Sequence, residues 1–351
     1  MPCSANSSRG GCECQWEGTA ERRGLTLAIP PAVRRKLASP MGDPYSLFDP
    51  DDYRREPDPE PDGEATTPEL AVLAKLDRDK TLVKGSDERP ARQVCLHSLD
   101  KAHIARYYAD IVGKGMKRAY GGPLAWVELF AGPGMLKVKD LGTFMPGSPI
   151  EAVKIDSPFT HYVFADADPR CVKALQARLD ETKVDATVHP VIEGDANSAA
   201  VHDAILEAIP RNALLVLYAD PAALDFKFST IEFFAERYEH LDLLINLPVP
   251  GFVRALRAGH EGKASGVLNH PAPAELIGPT SGKAGTSLRD WFERQLRVLR
   301  YEHFESEVIR QHEKRVPLYD LMIASRSEKA TKFFREALLR GRDGQTRLNL
   351  F

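Results

Sequence analysis

Cysteine is scarce and scattered, five in 351 residues. Cys3, Cys12 and Cys14 fall in a low-complexity amino-terminal stretch whose C-x8-C-x-C spacing lacks the paired ligands of a zinc site, and Cys95 and Cys171 stand alone at the edges of predicted helices. Reduced thiols and no structural metal are expected. Long apolar runs are missing too: none reaches the 18 residues that suggest a membrane span, and the first forty residues hold no apolar core of a signal peptide. That predicts a cytoplasmic protein with no membrane partner. Charge of one sign is also lacking, because 47 basic and 50 acidic side chains leave a net charge of -3, so global charge selects no partner.

What is present begins with Glu128-Leu129-Phe130-Ala131-Gly132-Pro133-Gly134, where an apolar run from Leu124 to Phe130 closes on an acid, an aromatic and two spaced glycines. Glycines there admit positive φ and let a ligand approach the backbone closely, although Gly-Pro-Gly is also ordinary turn chemistry. Four more short apolar runs follow. His161–Ala165 ends at Asp166, Val188–Ile192 at Gly194-Asp195, Leu214–Ala219 at Asp220-Pro221, and Leu241–Ile245 at Asn246-Leu247-Pro248. Continuous Val/Ile/Leu runs alternating with helical patterns predict a parallel α/β sheet buried on both faces. In such sheets ligands bind beyond the carboxyl ends of the strands, where all these polar residues fall.

The ligand is narrowed by elimination. A dinucleotide fingerprint runs G-x-G-x-x-G directly into a helix, but here the third position after Gly134 is Lys137 and the next helix start is about a dozen residues away. No Gly-Lys-Ser/Thr follows the glycines, which removes a Walker loop. An acid before a glycine turn, an acid after the second strand and Gly-Asp after the third suit S-adenosylmethionine. Glu128 is placed to receive a cationic amine, Gly132 and Gly134 to pass under the amino-acid moiety, Asp166 to accept both ribose hydroxyls, and Asp195, followed by Ala196, to accept from an adenine amino group.

Phe130-Ala-Gly-Pro-Gly134, Gly147-Ser148-Pro149, Asp166-Ala-Asp168, Gly194-Asp195-Ala196-Asn197, Asp220-Pro221, Asp242-Leu243-Leu244-Ile245-Asn246 and Pro317-Leu318-Tyr319 with Ala324-Ser325 together resemble the three-Cys-motif partner family of bacterial proteins, over about residues 95 to 340. The resemblance implies a Rossmann-like class I methyltransferase fold, with a mostly parallel seven-stranded sheet closed by an antiparallel carboxyl-terminal hairpin. It also implies an adenosylmethionine pocket and a partner protein carrying the three-cysteine motif. The sequence departs from the family at Pro221-Ala222-Ala223, where an aromatic and a glycine are expected after Asp-Pro.

One domain over 69–351 accounts for the sheet and its helices. Before it, residues 43–69 carry ten carboxylates against Arg54 and Arg55, interleaved with Pro57, Pro59 and Pro61, so residues 1–68 are expected to be a disordered tail. Met41 offers a second start, which would make residues 1–40 upstream sequence and not part of the protein. Residues 98–114 fit a lid helix, with Lys101, His103 and Arg106 read as a solvated face. Ser148-Pro149-Ile150-Glu151 reads as a capping box. The insert from Met135 to Pro146, with Lys137 and Lys139, is then a loop over the cofactor, and Lys263 to Gly285, rich in Gly, Pro and Ser, is a second mobile loop over the site. Runs over Tyr301–Ile309 and Leu318–Ala324 predict the closing hairpin, flanked by helices over Leu288–Leu299 and Glu328–Leu339.

Asp220, at the end of the fourth strand, is the candidate to orient or deprotonate the methyl acceptor, with Asn246 polarising it; both are equally at home as turn and strand-end residues. Cytosine-C5 chemistry is excluded, because the only Pro-Cys pair is Pro2-Cys3. A nucleic-acid amine or hydroxyl remains the expected acceptor, on the Phe-x-Gly-x-Gly turn and the basic residues Lys114, Lys117, Arg118, Arg335, Arg340, Arg342 and Arg347. The competing readings are a non-catalytic cofactor-binding module serving its partner protein and, more distantly, a nuclease using Asp166, Asp195 and Asp220.

Overall fold

A computed structural model describes residues 81–221, 223–277, 284–311 and 315–340. The acidic tail, the second start at Met41, Arg342 and Arg347 lie outside them. In chain order the elements are β1 (Leu82–Lys84), β2 (Pro90–Val94), α1 (His97–Ala119), β3 (Leu124–Leu129), β4 (Met135–Val138), β5 (Phe144–Pro146), α2 (Ser148–Val153), β6 (His161–Asp166) and α3 (Pro169–Asp180). There follow β7 (Thr187–Val188), β8 (Ile192–Glu193), α4 (Ala199–Ala208), β9 (Leu214–Ala219), α5 (Phe228–Arg237), β10 (Leu241–Leu247), α6 (Val249–Arg257), α7 (Glu261–Leu268), α8 (Ala284–Val298), β11 (His303–Arg310), β12 (Pro317–Ser325) and α9 (Glu328–Leu339).

The large sheet has the order β11-β12-β10-β9-β3-β6-β7, with β8 also pairing β6. All its pairs are parallel except those of β12, which runs antiparallel between β10 and β11. This is the expected class I methyltransferase arrangement, and the closing hairpin is β11–β12. The run Val188–Ile192 is two short strands instead of one, because Pro190 has no N–H to offer the ladder.

Side chains alternate across the strands and so build two cores. Ala125, Val127 and Leu129 of β3 and Leu215, Leu217 and Ala219 of β9 pack under α4 to α8. Leu124, Trp126, Leu214, Val216 and Tyr218 pack under α1, α2, α3 and α9. Glu128, Tyr218 and Asn246 share the even-numbered face, so polar groups near the carboxyl ends of three adjacent strands converge on the α1 side.

Four expectations change. The lid helix is a 23-residue core helix: Ala105, Tyr108, Ala109 and Val112 of α1 are buried, Tyr108 meets Phe334 edge-on, and its hydroxyl donates to Asp242 (3.1 Å). The insert 135–146 is not a loop but the hairpin β4–β5, joined to β1–β2 in a small sheet of order β1-β2-β4-β5. Of the segment 263–285, the described residues 263–277 and 284–285 are largely helical, in α7, a 3-10 turn at Pro273–Leu276 and the start of α8. Finally, the predicted capping box is not formed. Gly147 is the N-cap of α2, and the Ser148 hydroxyl turns instead to Glu128.

The small sheet is fastened by Arg178 of α3. Its buried guanidinium pairs with Asp87 (2.7 and 2.8 Å), donates to the Pro90 carbonyl (2.8 Å) and also donates to the Pro133 carbonyl inside the glycine turn. Burial raises the Asp87 carboxyl's pKa less than Arg178 lowers it, so it is held below the ordinary carboxylate value.

Candidate active site

The glycine turn needs the left-handed backbone region at three positions: Phe130 (φ 63), Gly132 (φ 66) and Gly134 (φ 78). For Phe130 this costs on the order of 1 kcal/mol, and its ring is seated edge-on against Phe226 at 5.9 Å. A Cβ on Gly134 would fall 2.7 Å from Leu175 Cδ1, so this glycine lets α3 close on the turn. Gly132 is different. Among the described residues nothing but Arg92 Nε, at 3.7 Å, stands within 4 Å of the place of its Cβ, which leaves the turn open on that side.

Asp166 brackets that turn. Its Oδ2 accepts the Gly132 N–H (2.7 Å) and its Oδ1 the Asp168 N–H (2.9 Å). Burial raises its carboxyl pKa against the opposing effect of these two N–H groups and of Arg92. Each oxygen keeps a lone pair. Asp195 is exposed, and its Oδ1 accepts from both the backbone N–H and the side-chain amide of Asn197 (2.9 Å each). Asn197 in turn donates to the Asp225 carbonyl (2.7 Å) and accepts from the Lys227 N–H (2.8 Å) and the Thr230 hydroxyl (3.1 Å). Ala196 is buried, and its carbonyl accepts from His202 Nε2 (2.9 Å).

Glu128 is completely enclosed, accepting from the Ser148 hydroxyl (2.5 Å) and Trp126 Nε1 (3.3 Å). Burial pushes its carboxyl up to about 8, against the pull of those two donors, so it holds a proton at neutral pH. Beside it lies an ion pair that the sequence did not reveal. Lys101 Nζ bridges both Asp220 oxygens, at 2.7 and 2.6 Å, with only 15% and 18% of the two side chains exposed. Burial acts to lower the Lys101 pKa, but the charge and hydrogen bond of Asp220 outweigh it and hold the ammonium above its usual range. Asn246 Nδ2 donates to Asp220 Oδ1 (3.0 Å). Asn246 is 4% exposed, and its own Oδ1 is buried with no hydrogen-bond partner among the described residues. The Tyr319 ring lies under Lys101, 5.0 Å from Nζ.

All nine sequence-derived candidates therefore stand along one sheet edge: Glu128, Phe130, Gly132 and Gly134, then Asp166, Asp195 and Ala196, then Asp220 and Asn246. Ser148, Arg92 and Lys101 were missed. For Lys101 a signal existed, since Lys101, Ala105, Tyr108 and Val112 recur at helical spacing and share the buried stripe of α1. Arg106, also assigned to solvent, pairs with Glu151 (2.8 Å). Asp166, Asp195 and Asp220 form no metal-holding group, and none of three or more His, Cys, Asp or Glu occurs among the described residues.

No family model matches the sequence, and a search of curated proteins finds no match either. Solved structures do align with it. An O-methyltransferase from Bacillus cereus, in complex with SAH, is 11% identical and aligns over 73% of this chain and 87% of its own, with a TM-score of 0.38. A protein from Legionella pneumophila is 11% identical over 70% of this chain and 94% of its own, with a TM-score of 0.42. Spermidine synthase from Thermotoga maritima is 12% identical over 73% and 67%, with a TM-score of 0.36. The fold assignment rests on strand order.

Proposed function

We propose that the protein is an S-adenosylmethionine-dependent methyltransferase. The observation that carries this reading is the glycine turn with Gly132 open above it and Asp166 hydrogen-bonded to its amide. The residues fit the cofactor. Asp166 retains one lone pair on each oxygen for two ribose hydroxyls, Asp195 Oδ2 makes no hydrogen bond among the described residues and suits an adenine amino group, and Glu128 ionises when an ammonium group is brought beside it. When bound, S-adenosylmethionine supplies an electrophilic methyl carbon. The chain's part is to align a nucleophile in line with that carbon and to place charge around it, with Asp220 and Asn246 at the acceptor position.

The resemblance to the three-Cys-motif partner family extends the proposal to a protein acting beside a partner of that kind, on a nucleic-acid acceptor. Several of the basic residues that motivated that acceptor are engaged in ion pairs: Lys114 with Asp110 and Asp156, Arg335 with Glu305, and Arg340 with Asp110 and Glu336. Phosphate contacts would fall to Lys117, Arg118, Lys137 and Lys139.

Calorimetric titration of the full chain with S-adenosylhomocysteine tests the pocket, with micromolar affinity expected. Asp166→Ala is expected to weaken it by about 1.5–3 kcal/mol, or 10- to 150-fold. Absence of both heat and thermal shift would remove the assignment. Label from radioactive S-adenosylmethionine, offered with cell RNA, DNA and protein extract, should enter nucleic acid with wild type and not with Asp220→Ala. Label in protein or small molecules instead would refute the nucleic-acid acceptor. Label nowhere, despite bound cofactor and the partner present, would favour the cofactor-binding accessory reading.

A further inference from the structure

The acceptor position already contains a cation. Lys101 enters it from the second turn of α1, bridges both oxygens of Asp220 and lies over the Tyr319 ring, so Asp220 does not face the acceptor as a bare carboxylate. An ammonium carries three donors and no acceptor. Asn246, which donates to Asp220 Oδ1 (3.0 Å), is 96% buried, and its own Oδ1 has no hydrogen-bond partner among the described residues. A ligand entering here meets one hydrogen-bond donor, one neutral acceptor and one partly occupied carboxylate.

Nitrogen and oxygen nucleophiles fare differently in that setting. A neutral amine has a single lone pair, which must point at the methyl carbon, and a hydrogen bond from Lys101 occupies it. A hydroxyl has two. One accepts from Lys101 while the other attacks. Resting on the methyltransferase reading above, we propose that Lys101 makes this an oxygen-methylating site, which takes a hydroxyl carrying a second hydrogen-bond donor beside it.

In the step, a lone pair of the hydroxyl oxygen forms the O–CH3 bond and the S–CH3 bond breaks with its electron pair passing to sulfur, which becomes a neutral thioether. The hydroxyl proton goes to the remaining lone pair of Asp220 and from there to water. Lys101 stabilises the negative charge that builds on the oxygen, and Asn246 Oδ1 receives the neighbouring donor.

The test uses the full chain, methyl-labelled S-adenosylmethionine, and total cell RNA and a small-molecule cell extract as probes. Products are broken down and the labelled methyl is located by fragment mass as O–CH3 or N–CH3. The expected result is label on oxygen, a rate lowered about 100-fold by Lys101→Met, partial recovery with Lys101→Arg, and S-adenosylhomocysteine affinity unchanged within twofold in both variants. Recovery by the arginine variant distinguishes an electrostatic role from loss of fold. Label on nitrogen, or Lys101→Met as fast as wild type, overturns the inference while leaving a methyltransferase. Absence of S-adenosylhomocysteine binding overturns the underlying reading itself, and bound cofactor with no transfer to either probe overturns this inference.

Discussion

Replacing Glu128 by Gln should make the protein more stable at alkaline pH and leave it unchanged in acid. The side chain is fully enclosed, and its carboxyl is pushed by burial from an ordinary 4.5 to about 8. A carboxyl raised by folding binds its proton more tightly in the folded chain. Its contribution to stability is thus complete below about pH 4.5 and is lost as the pH rises towards 8. At about 1.36 kcal/mol per pKa unit, the whole loss is about 4 to 5 kcal/mol. Gln keeps the shape, can accept from Trp126 and donate to the Ser148 oxygen, and has nothing to ionise. Thermal melts of both proteins from pH 4 to 9 should coincide near pH 4 and separate by on the order of 10 °C at pH 8.5, Glu128→Gln melting higher. The same group governs cofactor binding: close to one proton should be released per S-adenosylhomocysteine bound at pH 7 in wild type and none in the variant, read from titrations in buffers of different ionisation enthalpy. A difference in melting temperature that stays flat across the pH range would refute the reasoning.

Two further perturbations follow from the hydrogen-bond networks. Arg178→Met should lower stability by about 3 kcal/mol, because it leaves Asp87 and the Pro90 and Pro133 carbonyls without their donor; a denaturant midpoint within 0.5 kcal/mol of wild type, ~0.5 being the scatter of surface substitutions, would show that the guanidinium is not a brace. Asn197→Ala should weaken S-adenosylhomocysteine binding by about fivefold to tenfold, through loss of the bonds that hold Asp195 and the 225–230 segment, about 1 kcal/mol for a neutral hydrogen bond. Unchanged affinity in a titration would place Asp195 outside the adenine site.

What could be read in the sequence was what local pattern determines. Continuous runs such as Leu214–Ala219, short, bounded by turn residues and alternating with helical patterns, read as doubly buried strands, and their ends mark Asp166, Asp195 and Asp220 as residues of one sheet edge. Pro190, which splits the third strand, was visible but its effect was not weighed. The small sheet escaped because its strands are three to five residues of mixed polarity, whose pairing depends on Arg178, and Arg178 contacts segments 45 to 91 positions away. Lys101 escaped because a lysine on a helix is ordinarily solvated; only its alignment with Ala105 and Tyr108 marked it. Ser148 carried the right sequence for a cap and spent its hydroxyl on a buried carboxyl that no local rule connects to it.

Arg178 also sets the boundary of the working unit. A chain shortened to begin at Cys95 would retain every strand of the large sheet, together with Glu128, Asp166, Asp195 and Asp220. It would nevertheless lose Asp87, Pro90 and Arg92, and with them the outer half of the clamp on Pro133 and, among the described residues, the one side chain within 4 Å of the place of a Gly132 Cβ. The strand order that defines the architecture and the residues that shape its glycine turn therefore have different limits along the chain, the second beginning well upstream of the first.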